Sequence, residues 1–236
     1  MEYMRNRVLE LDKSKGKERA KEYFIKICGF DKNKRIPQKR IEEGIRTLED
    51  IYESIHIQAI LSEYGKSCIG KEEINLDGTV FKCKALSQVR SEDFIKIYTY
   101  MLTVGDIQSR NAKILWQVYY DIWLNAFVNT GRDLLRSYIK GMQESPSSFI
   151  SGSFGPGFYG MPVSELDKFF QVMNAEKIGI KNLDKHLMVP VKSHAGFYVI
   201  TANREVLFEK DCANCVSSGK TCYYCQETTR IGDDES

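Results

Sequence analysis

The chain has 236 residues, enough for one substantial hydrophobic core or two small ones. Its 34 basic and 32 acidic side chains leave a formal charge of only +2, so no net field favours nucleic acid or an anionic membrane surface. The segment 1–21 is charged throughout (Arg5, Arg7, Glu10, Asp12, Lys13, Lys15, Lys17) and lacks an apolar signal core, and nowhere is there an apolar run of about eighteen residues, so a soluble, cytoplasmic protein is expected.

Over residues 40–63, Ile41, Ile45, Leu48, Tyr52, Ile55 and Ala59 recur at spacings of three and four, with Glu42, Glu43, Arg46, Glu49 and Glu53 between them. That periodicity predicts an amphipathic helix, with His56 inside it. Asp77-Gly78 stands between alternating residues in 74–80 and marks a hairpin, while 94–104 is rich in β-branched and aromatic residues and reads as a strand. Helices and strands alternate without a regular βαβ rhythm, and there is no internal repeat or low-complexity linker.

Residues 112–140 predict a long helix, apolar around most of its circumference. One polar stripe crosses it: Gln117, Asp121, Asn125 and Asn129 recur every fourth residue and share a face. The stripe fits a solvent-facing edge. Its short amides, in place of the usual Lys and Glu, fit the wall of a polar cavity equally well.

The segment 145–162, SPSSFISGSFGPGFYGMP, interleaves glycine, proline and serine with Phe149, Phe154, Phe158 and Tyr159. Such a loop lets main-chain amides and aromatic faces approach a ligand. Gly155, Gly157 and Gly160 spell a formal GxGxxG, but a dinucleotide fingerprint opens a helix directly, whereas here Pro162 intervenes. Ser164 and Asp167 look like the capping box of a helix that begins only afterwards, with Leu166, Phe169, Phe170 and Met173 inward. Short apolar runs at 178–180, 187–191 and 196–202 then suggest strands that close a sheet.

Of seven cysteines, Cys28, Cys68 and Cys83 stand among apolar neighbours as core thiols. The others form two knuckles, Cys212-x2-Cys215 and Cys222-x2-Cys225, separated by six residues. Four clustered thiols argue against a secreted disulfide framework and for a tetrahedral zinc or an iron-sulfur cluster. Zinc would make the tail a rigid interaction knob and a cluster would make it an electron-transfer site. Lys210, Lys220 and Arg230 either offset thiolate charge or are solvated.

The run Ser153-Phe154-Gly155-Pro156-Gly157-Phe158, followed by EKIGIKNLDKHLMVPVKSHAGFYVI at 176–200, resembles the activation domain of cobalamin-dependent methionine synthase. That family's pattern is Arg-x-Ser/Ala-Pro-Gly-Tyr, an Ile-Gly strand, then Met-x-Pro-x-x-Ser-x-x-Gly, and the likeness spans roughly residues 20–202. The resemblance implies an α+β fold: a curved, twisted antiparallel sheet flanked by helices over 1–203, with 204–236 a polar tail carrying the four-cysteine metal site.

It also implies an S-adenosylmethionine groove built from Gly155, Pro156, Gly157, Phe158 and Tyr198, with the loop position Ser153. The family's helix acid would fall near Asn125 or Asn129. Three positions depart from the pattern: Ser153 replaces the arginine, Phe158 the tyrosine, and an amide the acid. Each loses a charged or hydroxyl contact, so S-adenosylmethionine is expected to bind weakly or not at all.

No Asp-x-His-x-x-Gly occurs; His56, His186 and His194 are the three histidines, the latter two flanking the Met-x-Pro segment as hydrogen-bonded strand residues or as groups facing a corrinoid. Cobalamin would then come from a partner, a methionine synthase or another corrinoid protein. The implied role is reductive reactivation of that partner, with S-adenosylmethionine as methyl donor and an iron-sulfur tail as one-electron relay. The alternatives are a non-catalytic corrinoid-protein binding module with a degenerate groove and a zinc-stapled tail, or an unrelated zinc-tail adaptor on the same fold. No catalytic nucleophile or general base stands out.

Overall fold

The structure, a computed structural model, describes residues 3–30, 38–84, 86, 91–107, 113–143, 145, 147–183 and 186–203. The four tail cysteines lie outside the described residues. Strands β1 (Arg7–Leu11), β2 (Ile57–Gly65), β5 (Phe94–Thr103), β9 (Ser193–Thr201) and β6 (Phe149–Ile150) form one curved antiparallel sheet in the order β1-β2-β5-β9-β6. Ile60 lies opposite Met101, Tyr98 opposite Tyr198, and Tyr100 opposite Gly196.

Because successive side chains point to opposite faces, each central strand serves two cores. On one face Ile57, Ala59 and Leu61 of β2, Tyr98, Tyr100 and Leu102 of β5, and Tyr198 and Ile200 of β9 pack beneath α1 (Lys17–Ile27), α2 (Gln38–Ile51) and α3 (Ile114–Gly141). On the other, Ile60, Tyr64, Ile97, Met101, Phe197 and Val199 are covered by the hairpin of β3 (Glu73–Leu76) and β4 (Thr79–Lys82), by the glycine-rich loop, and by α4 (Leu166–Val172). A small hairpin of β7 (Lys181–Leu183) and β8 (Leu187–Val189) follows α4.

The three helices are tied together by one aromatic stack. The rings of Phe24 on α1 and Trp123 on α3 are 4.0 Å apart and within 9° of parallel. The Trp123 indole N–H donates to the Gly44 carbonyl of α2 at 2.8 Å. A Cβ at Gly44 would lie 2.8 Å from Phe24 Cζ, which explains a glycine in the middle of α2. Across the sheet, Phe197 is the corresponding centre, touching Phe81, Phe154 and Phe169 at centroid distances of 4.9–5.6 Å.

The hairpin at Asp77-Gly78, the strand over 94–104 and the long helix stand where the sequence places them. Asp77 and Gly78 have φ of 52° and 92°, the paired positive angles of a tight hairpin turn. The helix predicted over 40–63 ends at Ile51 and is followed, after a 3-10 turn, by β2. Residues four apart share a face in a helix and in a strand alike, so the Ile55 and Ala59 positions do not distinguish the two. His56 is exposed in the link, its N–H bonded to the Val104 carbonyl at 3.2 Å.

The capping box is also absent. Ser164 is exposed in a 3-10 turn, and Asp167 bonds His186 Nδ1 at 2.6 Å and Asn182 at 3.1 Å. Glu165, 4% exposed, instead accepts from the Lys82 N–H at 3.0 Å and from Lys168 Nζ at 2.7 Å, joining α4 to β4. Cys83 is buried, Cys28 and Cys68 half-buried; burial pushes the Cys28 thiol up to about 12 and raises that of Cys68, in keeping with inert core thiols. Among the described residues no helix is long and apolar enough to cross a membrane.

Candidate functional site

Beyond β6 the chain continues along the outer edge of β9 as the glycine-rich loop. Ser151 N–H donates to the Val199 carbonyl at 3.0 Å, and Phe154 and Phe197 exchange backbone bonds at 3.1 and 2.7 Å. Two glycines make this contact close. A Cβ on Gly155 would lie 2.7 Å from the Ala195 carbonyl oxygen, and one on Gly196 would lie 2.7 Å from the Phe154 carbonyl oxygen. Gly157 has φ of 86° and Gly160 of 71°, so the loop reverses through conformations that favour glycine.

Gly196 also leaves space on the helix-facing side of the sheet, where a polar cluster gathers. The Tyr100 hydroxyl is 2.5 Å from Ser153 Oγ and 3.0 Å from His194 Nδ1. The rings of Tyr100 and His194 are stacked at 5.8 Å, those of Tyr100 and Tyr198 at 5.0 Å, and Phe158 lies 6.0 Å from His194. Burial and the charge of Arg132 hold the His194 pKa well below the usual imidazole value. The neutral ring, the Tyr100 hydroxyl and the Ser153 hydroxyl thus form one continuous hydrogen-bonded chain. Burial raises the pKa of both tyrosines, so they remain hydroxyl donors.

The helix side of the cluster comes from the polar stripe of α3. Gln117 and Asp121 are exposed, Asn125 and Asn129 half-buried. The same face then continues, at steps of three and four, to Arg132 and Arg136. Arg136 donates to the carbonyls of Ile150 at 2.8 Å and Ser151 at 3.0 Å, fixing the helix to the start of the loop. Asn125 accepts from Lys192 Nζ at 3.0 Å, and Lys192 pairs with Asp121 at 2.6 Å. The stripe is therefore an exposed edge at its first two positions and an interior wall at its last ones.

Arg132 lies at the centre. Its Nη1 donates to Asn129 Oδ1 at 3.2 Å, its guanidinium lies beside the hydroxyl of Tyr100, and its backbone carbonyl accepts from the Tyr198 hydroxyl at 2.9 Å. Nε is buried and has no hydrogen-bond partner among the described residues. No described carboxylate pairs with the side chain; the adjacent Asp133 bonds Arg19 at 3.2 Å and Tyr23 at 2.7 Å on another face. Arginine keeps its charge in proteins, so this is a half-buried cation whose buried Nε donor is unmet, which costs about 1–3 kcal/mol.

The structure thus gathers Asn129, Ser153, Gly155, Phe158 and Tyr198 on one edge of the sheet. Tyr198 is 1% exposed and forms the floor, whereas Phe158, 44% exposed, forms the rim. Pro156 and Gly157 lie at the loop's outer turn, half-buried, and Asn125 lies a turn away at the ion pair. Phe154 is fully buried against Phe197 and is not a rim residue. Tyr100 and Arg132 were not singled out by sequence patterning, although continuing the Asn125–Asn129 stripe by one step reaches Arg132. Among the described residues no three His, Cys, Asp or Glu side chains are grouped to hold a metal ion.

No protein-family model matches this sequence, and no curated protein is similar to it. Among solved structures, the chain is similar to the crystal structure of the MetH reactivation domain bound to AdoHcy. The TM-score is 0.51, with 12% sequence identity, over 84% of this chain and 79% of that chain. The two chains share a fold. At this identity the likeness describes the architecture, a curved antiparallel sheet with helices, and leaves the ligand to be argued from the residues present.

Proposed function

We propose that this chain takes part in the S-adenosylmethionine-linked reactivation of a cobalamin enzyme whose corrinoid is carried outside these 236 residues. The observation that carries the reading is the polar cluster at the β9 edge, formed by Asn129, Arg132, Ser153, Tyr100 and His194 under the glycine loop, on a fold shared with a domain crystallised with AdoHcy. The residues fit such a ligand. The unmet Arg132 donor suits an anionic group, bare Gly155 and Gly196 let main chain approach closely, and Phe158 offers an apolar face at the rim.

When bound, S-adenosylmethionine supplies an electrophilic sulfonium methyl group. The chain's own residues contribute position rather than proton transfer. Arg132 and Asn129 hold the polar end, the neutral His194–Tyr100–Ser153 chain keeps the floor rigid, and the loop excludes water on the outer side. The tail cysteines, Cys212, Cys215, Cys222 and Cys225, would hold an iron-sulfur cluster, which would supply one-electron chemistry, or a zinc with a structural role.

A second reading is favoured by one observation. Ser153 commits its hydroxyl to Tyr100, and the segments flanking the cluster expose Phe158, Val163, Leu187 and Val191 at 44–77%. Such a rim suits a module that binds a corrinoid protein without offering a methyl donor. One experiment separates the two. The protein is mixed with a methionine synthase held as cob(II)alamin, a low-potential reductant and S-adenosylmethionine, and the cobalt spectrum is followed. Methylcobalamin that requires both this chain and S-adenosylmethionine supports reactivation. Binding without a spectral change supports the module, and neither binding nor change overturns both.

A further inference from the structure

We propose a second site, on the opposite face of the sheet from the polar cluster and independent of the reactivation reading: a groove beside β7 that takes an extended segment of a partner polypeptide by strand addition. The groove has a volume of about 650 Å³, within the range of roughly 300–1,000 Å³ usual for ligand sites. Lys181 and Asn182 both line it. Successive strand residues point to opposite faces, so a cavity touched by both runs along an edge of the strand. β8 occupies one edge of β7, and no described strand occupies the other. The groove therefore borders the free edge, where main-chain N–H and C=O groups face outward at strand spacing.

Both walls are held in place. Asn182 and His186 bond the Asp167 carboxylate at 3.1 and 2.6 Å, which fixes the hairpin to α4. On the other side, the Asn6 N–H bonds Ser62 Oγ and the Asn6 Oδ1 accepts from the Asn174 N–H, each at 2.8 Å. Asn6 has φ of 48°, a left-handed conformation that costs free energy and is kept at this wall. A preformed groove spares its ligand the cost of ordering it.

The lining selects the ligand. Phe170 and Val172, half-buried, join the buried Met173 and Ile180 in an apolar floor that suits one side chain. The exposed rim carries one acid, Glu176, and one base, Lys181, so it has no charge excess to hold a phosphate or another anion. A strand edge is matched in full only by another strand, whose groups repeat at the same spacing. The partner is therefore an extended segment with an apolar residue facing the floor and one charge of each sign two residues to either side. Lys181 on the edge guards it against indiscriminate pairing, and with Glu176 on the turn Ala175–Ile178 one order of charges is favoured.

The test titrates two acetylated, amidated pentapeptides, Glu-Thr-Leu-Thr-Lys and Lys-Thr-Leu-Thr-Glu, into isotope-labelled full-length protein followed by amide NMR. One order should bind tighter by about two- to fivefold, the scale of exposed ion pairs, with shifts centred on residues 170–182. Successive N–H groups alternate between edges, so N-methylation of the leucine and of the threonine after it blocks a ladder bond in either register. That peptide should bind about fivefold or more weakly than its parent. The double exchange Glu176→Lys with Lys181→Glu, both at exposed positions, should reverse the preferred order.

No shifts at millimolar peptide, shifts centred elsewhere, or equal binding of the N-methylated peptide overturns strand addition, and all three are read on wild-type protein. Equal binding of the two orders, or an order that the double exchange leaves unchanged, overturns the charge assignment. None of these outcomes touches the reactivation reading, whose test is the cobalt spectrum.

Discussion

Gly155 faces Gly196 across the seam between the glycine loop and β9, so closely that a Cβ on Gly155 would stand 2.9 Å from the Gly196 Cα. The obstructing atoms on both sides are main chain, which cannot rotate away. Gly155→Ala and Gly196→Ala should each lower stability in urea unfolding by about 1–3 kcal/mol, as overpacking does. Gly157→Ala meets nothing nearer than Val163 Cγ2 at 3.7 Å and should cost less, about 1 kcal/mol, from its φ of 86° alone. An equal loss at all three positions would mean the loop is not seated on β9.

The Phe24–Trp123 stack makes a sharper prediction about the helical layer. Phe24 is fully buried, and α1 has little else that reaches across both α2 and α3. Phe24→Ala should cost about 3–5 kcal/mol and leave Trp123 partly solvated. Chemical denaturation and a red shift in tryptophan emission would check both parts. A loss below about 1 kcal/mol would mean that α1 does not dock through this ring.

Two neighbouring residues on the far face distinguish the sequence expectation from the structure. A capping Ser164 would cost about 1 kcal/mol on replacement by alanine. In the fold it is exposed and makes no cap, so Ser164→Ala should be within about 0.5 kcal/mol of wild type. Glu165→Ala removes the acceptor of the Lys82 N–H and the counter-ion of Lys168, which keeps only its bond to the Val80 carbonyl, and should cost about 1–3 kcal/mol in thermal or urea unfolding.

What could be read in advance follows a physical line. The Asp77-Gly78 hairpin and α3 are written locally, in turn chemistry and in a long uninterrupted period, and both stand where patterning puts them. β1 was not legible, because its residues alternate weakly within a charged segment and it becomes a strand only by pairing with β2. The end of α2 was lost because helix and strand place residues four apart on the same face. In the site, the glycine loop was legible from composition and from a family pattern. Arg132 and Tyr100 were not, since their importance lies in a missing counter-ion and in cross-strand placement, neither of which one-dimensional spacing contains.

The tail cysteines carry their own test. Protein purified without oxygen should contain close to one zinc, or iron with matching sulfide, and exchanging Cys212→Ser together with Cys222→Ser should remove it, because each change breaks one knuckle. Elemental analysis and a visible spectrum read the result. Metal content unaffected by the double exchange would mean these thiols are not the ligands.

Acidification tests the cluster through His194. Its folded-state pKa is held well below the ordinary value, by burial first and by Arg132 second, so the unfolded chain binds a proton that the folded chain refuses. The sign follows. The stability associated with the neutral ring is fully present above about pH 6.5 and is lost as pH falls through the unfolded-state value toward the folded one. One such proton tilts the unfolding free energy by at most about 1.4 kcal/mol per pH unit. His194→Gln keeps a hydrogen-bonding partner for the Tyr100 hydroxyl and cannot titrate. Unfolding measured from about pH 7.5 to pH 5 should therefore fall more steeply for wild type than for His194→Gln, the difference isolating this residue from the other titrating groups. Parallel pH curves would mean that the ring protonates as readily in the folded protein as in the unfolded chain, and that neither burial nor Arg132 acts on it.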